Sequence, residues 1–85
     1  MPTTFERDAW LNAARRGAYA GDYDDARRRL ETVLEHDAHD DEARTMLARI
    51  HAWQGEYVQA EQLYREVLTR HPHDDDARAG LFDVL

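Results

Sequence analysis

The residues of this chain best equipped for chemistry are four of its five histidines, set among aspartates: His36 with His39, and His71 with His73 beside Asp74, Asp75 and Asp76. A zinc site needs three or four convergent ligands. These pairs fall in turns a full sequence repeat apart, and their Asp neighbours are placed to cap helices, so no metal and no cofactor is expected. His51 sits in an apolar helical pattern and is expected to be packed or hydrogen-bonded in the core. Ser and Cys are both absent, and the Thr residues fall at caps or on helix faces, so no activated nucleophile is at hand. The glycines punctuate helices and form no phosphate-cradling loop, so catalysis is not expected. Two other pairs carry recognition chemistry. Arg15 lies four residues before Tyr19 and Arg49 four before Trp53, spacings that put each pair on one helix face. A guanidinium can hold a carboxylate with two prongs while the neighbouring ring offers an apolar platform.

Those pairs sit on a chain of 85 residues with formal charge -7, in which 18 acidic residues face 11 basic ones, all of them Arg. The length makes one domain, residues 1–85, with a modest core. The charge argues against a nucleic-acid partner, because phosphate binding needs clustered positive charge. No apolar run is long enough for a membrane span, and Met1-Pro2-Thr3-Thr4 leads into no signal-like segment. A cytoplasmic location is expected, or a periplasmic one if the chain is cut from a longer envelope protein. The Lys-free, acidic composition fits a GC-rich genome or adaptation to salt.

The elements that position the pairs repeat. Gly55-Glu56-Tyr57-Val58-Gln59-Ala60, followed by Tyr64, Val67, Leu68 and Pro72, is preceded 34 residues earlier by Gly21-Asp22-Tyr23-Asp24-Asp25-Ala26 with Leu30, Val33 and Leu34. Apolar spacing predicts helices over residues 5–20, 23–36, 41–54, 57–71 and 75–85. Thr3 and Glu6 have capping-box spacing, Asp22 and Asp40 are expected to cap the second and third helices, and Pro72 stops the fourth. Gly21 and Gly55 make the tight turns. Gly17, inside the first helix, is expected to let a neighbour come close. The Arg27-Arg28-Arg29 run is expected on a solvated face, paired with Glu31, Asp24 and Asp25.

A 34-residue unit of this kind resembles the tetratricopeptide repeat (TPR) family, of bacterial type. The second unit carries Leu47, Ala48, Gly55, Tyr57, Ala60, Tyr64, Leu68 and Pro72 of the family pattern; the first carries Trp10, Ala14, Gly21, Tyr23, Ala26, Leu30 and Leu34. The departures are Ala38 for the late Pro, Arg44 and Arg78 at the position of Trp10, Gly17 and His51 where Tyr is common, and Phe82 where Ala is expected. A weaker similarity, through Ala52-Trp53-Gln54-Gly55 and Ala77-Arg78-Ala79-Gly80-Leu81, is to repeats of bacterial envelope and exopolysaccharide-export proteins. The resemblance implies an all-α solenoid of antiparallel helix pairs, about two and a half repeats in five helices, with units at 7–40, 41–74 and 75–85.

The resemblance further implies a concave groove lined by the first helix of each pair, at positions that map to Asp8, Leu11, Arg15 and Tyr19, then Glu42, Thr45, Arg49 and Trp53, then Asp76, Ala79 and Asp83. A protein or peptide partner is expected there. The Lys- and Asn-rich carboxylate clamp of the chaperone-binding subclass is missing, since Lys is absent and Asn12 is the single Asn. The alternative function is a structural spacer or self-associating segment of a longer array with no groove ligand. The apolar Leu81, Phe82, Val84 and Leu85 are then expected to pair with a following helix or with a second copy in a homodimer.

Overall fold

The computed structural model describes residues 5–85. Five helices follow one another: α1 Arg7–Tyr19, α2 Tyr23–His36, α3 Asp41–Trp53, α4 Tyr57–Arg70 and α5 Asp75–Val84. The first helix of each pair starts at Arg7, Asp41 and Asp75, in step with the sequence repeat.

The turns show how local chemistry sets these limits. After α1, the Asp22 amide donates to the Gly17 carbonyl at 2.7 Å and the Gly21 amide to Ala18 at 3.1 Å. After α3, Glu56 donates to His51 at 2.8 Å and Gly55 to Ala52 at 3.0 Å. Both are Schellman endings, and Gly21 and Gly55 take the positive φ they require, 85° and 79°. Asp40 and Asp74 cap α3 and α5 by accepting from the Ala43 and Ala77 amides at 3.2 and 2.9 Å. Asp22 makes no such side-chain bond. Its backbone is already committed to the Schellman turn, which orders the junction without a side-chain cap. The expected capping box falls partly on Thr3, outside the described residues; Glu6 occupies the cap position of α1 without a side-chain bond.

Small residues set the helix spacing. Ala14, Ala26, Ala48, Ala60 and Ala77 are all fully buried, where only a methyl group separates neighbouring helices. Leu11, Leu30, Val33, Met46, Leu47 and Ile50 fill the space among α1, α2 and α3. Tyr64 and Val67 do so among α3, α4 and α5, with Leu63, Leu68, Leu81 and Val84 packed against them. The backbone of α1 comes close to α3 and that of α3 to α5, whereas the backbones of α2 and α4 stay further apart. First helices therefore line the inside of a curve and second helices splay along its outside. The row measures 46 × 28 × 17 Å.

Ion pairs stitch one pair of helices to the next. Arg7 reaches across to Asp40 and, at 2.7 Å, to Glu42. Its guanidinium holds the Asp40 carboxyl below the usual carboxylate range, against the opposing effect of burial. Arg44 replaces the aromatic found at Trp10 with a charge held by Glu66 at 2.9 Å and Asp41 at 3.7 Å. Asp41 also takes Arg70, and lies 3.0 Å from His71. In the arginine run, Arg28 and Arg29 pair with Asp25 along α2, while Arg27 crosses to Glu56. His51 is buried with Nδ1 2.9 Å from Glu56. His36 stacks on Phe5 with ring centroids 3.8 Å apart. Arg29 lies over the Trp10 ring, 5.5 Å from its centroid.

Candidate functional site

Two adjoining hollows open on the inner face. The larger, about 480 Å³, lies between the C-terminal half of α3 and helix α5, with Tyr19 of α1 at one rim and Tyr57 and Tyr64 of α4 completing the wall. The smaller, about 260 Å³, runs toward the N-terminal end of α3 and is bounded by Arg15, Glu42, Thr45, Asp74 and Asp76. Arg49 and Asp76 belong to both.

Tyr19 and Trp53 meet with ring centroids 5.7 Å apart and planes tilted by 49°. Tyr23 also approaches Trp53, with ring centroids 6.3 Å apart. Tyr19 is 72% exposed and Trp53 44%, so the aromatic corner offers apolar surface while being held by its own packing. Arg15 donates to Asn12 at 3.1 Å and leans on Glu42 at 3.5 Å. Arg49 differs: among the described residues it has no carboxylate within 4.0 Å. Burial raises the pKa of the Tyr64 hydroxyl, and the Arg49 guanidinium partly offsets that rise. Ala79, Asp76 and Asp83 supply the α5 wall.

Of the residues expected in the groove, one belongs elsewhere and another is largely covered. Leu11 is 3% exposed and forms part of the core under α1, because its helix position faces α2 and α3. Thr45 is also buried, and contributes to the edge of the smaller hollow with little free surface. The apolar C-terminal group divides as well. Leu81 and Val84 pack on the core of α3 and α4, which leaves Phe82 and Leu85 exposed at 81% and 71%.

Tyr57, Tyr64 and Gly80 were not expected at the site. A Cβ built on Gly80 would stand 2.3 Å from Tyr64 Cζ, so the missing side chain is what admits the ring beneath α5. One repeat earlier the corresponding pair is Met46 with Leu30, both in the first core cluster. There two side chains of similar size share the space; in the next repeat the first-helix residue has no side chain and the second-helix residue is a large ring. That difference was readable from the 34-residue alignment and is the signal that marks the hollow.

Among the described residues no three His, Cys, Asp or Glu side chains converge as metal ligands, and no helix is long and apolar enough to cross a membrane. A family model described as tetratricopeptide repeat matches residues 18–64, more than half of the chain. No curated protein matches it.

Proposed function

Since the chain belongs to the tetratricopeptide repeat family, a family of protein-interaction modules that are generally non-catalytic, we propose that it binds a peptide segment of a partner protein on its concave face. The observation that carries this reading is Arg49, an arginine without an ion-pair partner among the described residues, at the junction of two hollows and next to the exposed ring of Trp53. Aromatic and arginine side chains dominate the energetics of protein interfaces. In this arrangement Tyr19 and Trp53 pack a peptide side chain, and Arg49 donates to a peptide oxygen. Arg15, steadied by Glu42 and Asn12, bounds the far end.

Changing Arg15 and Arg49 to Ala tests the reading, because both side chains are solvent-accessible and their loss spares the core. Partner capture is expected to fall sharply; capture retained in full by the double variant refutes it. The exposed Phe82 and Leu85 favour a second reading, in which α5 packs on another helical unit and the chain serves as a structural or self-associating segment.

A further inference from the structure

We propose that the larger hollow takes a cationic side chain, arginine or lysine, of the bound peptide, an inference that rests on the concave-face reading above. The exposed rings of Tyr19, Trp53 and Tyr57 border the hollow, and an aromatic face attracts a cation through its quadrupole. On the opposite wall Asp76 and Asp83 are both exposed, and among the described residues neither has a cationic side chain within 4.0 Å. A cation in the hollow would meet rings on one side and two unmatched carboxylates on the other.

The charge along the groove favours the same occupant. Glu42, Asp74, Asp76 and Asp83 border the two hollows, against Arg15 and Arg49. Arg15 is already engaged by Glu42, which leaves three carboxylates facing one guanidinium. An acidic side chain would have to displace that excess, whereas a basic one relieves it. Arg49 borders the same hollow where it meets the smaller one, and is placed to donate to a backbone carbonyl of the peptide. The net charge of -7 steers a basic segment toward the molecule from a distance. A planar guanidinium can also stack on an indole, which favours arginine over lysine.

The test is selection of a random dodecapeptide display library on the intact 85-residue chain, with the Trp53→Ala variant as counter-selection. Enrichment of peptides with a fixed Arg or Lys is expected. Replacing that residue by Gln in a synthetic copy should weaken binding about tenfold, the scale of one favourable cation–aromatic contact with its carboxylate. The Asp76→Asn/Asp83→Asn variant should lose affinity for the basic peptide by a similar factor and bind the Gln peptide as the parent does. Both positions are exposed, so folding is not at stake. Enrichment of neutral or acidic peptides that still depend on Trp53 overturns the cation inference while leaving the concave-face reading in place. Failure to enrich any peptide over the Trp53→Ala control overturns both.

Discussion

Two glycines, each inside a first helix, should respond to alanine with opposite sign, and the contrast isolates the packing that creates the site. At Gly17 an added Cβ would lie 3.5 Å from the Asp22 carbonyl oxygen and 3.7 Å from Ala26 Cβ, ordinary contact distances. Gly17→Ala therefore gains helix propensity, about 1 kcal/mol, without a steric cost. For a domain of this size that is a rise in Tm of about 4–8 °C. At Gly80 the Cβ would fall 2.3 Å from Tyr64 Cζ and 2.4 Å from Cε1, well inside the ~3.5 Å at which carbon atoms rest against each other. Tyr64 is 2% exposed, so relieving the overlap means displacing a packed ring. Overpacking of this kind costs about 1–3 kcal/mol. The propensity gain is common to both variants, so the difference between them, about 1–3 kcal/mol in favour of Gly17→Ala, reports the steric part. Urea unfolding followed by far-ultraviolet circular dichroism measures it. A second background makes the inference sharper. Leu30 is the residue that corresponds to Tyr64, so Tyr64→Leu should open space and turn Gly80→Ala from harmful to neutral or stabilising. The reasoning is refuted if Gly80→Ala stabilises the parent as much as Gly17→Ala does, or if its effect is the same in the Tyr64→Leu background.

Three further outcomes are expected. The Asp40 carboxyl has its pKa lowered chiefly by the hydrogen bond from Arg7, so its contribution to stability is complete above the ordinary carboxylate value of about 4 and is lost as pH falls through the lowered folded value. Asp40→Asn, which keeps a capping oxygen, should cost about 1–2 kcal/mol at neutral pH and flatten the loss of stability below about pH 4; an unchanged acid profile counts against this linkage. Phe82→Glu should leave the fold intact, since the ring is 81% exposed, and should abolish any dimer detected by sedimentation equilibrium. A dimer that persists places self-association away from α5. Trp53→Ala should cost the fold roughly 1 kcal/mol, in keeping with a half-exposed ring and its aromatic neighbours, while binding of any concave-face peptide falls at least tenfold. Parallel losses in both measurements would assign Trp53 to packing between repeats.

What was legible in the sequence was everything that repeats. Helix order, the 34-residue step, the Schellman glycines at 21 and 55 and the caps at Asp40 and Asp74 all follow from local patterns that need no distant partner, and their limits agree with the structure within two residues. Asp22 was misleading because it has the right chemistry for a cap at a place where backbone bonds already define the turn. Leu11 was misleading because an average register for the family assigns it to the groove, while the packing of α1 on α2 and α3 turns it inward. The fates of Leu81, Phe82, Val84 and Leu85 differ although all four are apolar neighbours, because helical geometry points them in different directions and only Leu81 and Val84 find the α3–α4 core.

By itself, then, the order of residues determined an all-α row of helix pairs and the placing of arginine and aromatic residues on successive first helices. Only the tertiary structure decided that Arg15 is held by Glu42 while Arg49, among the described residues, has no carboxylate within 4.0 Å, and that Tyr64, admitted by Gly80, joins the wall of a hollow between α3 and α5. The physical reason is one of range. Helix periodicity and capping are settled by atoms a few residues apart, whereas the shape and charge of a groove depend on which side chains from separate helices compete for the same space.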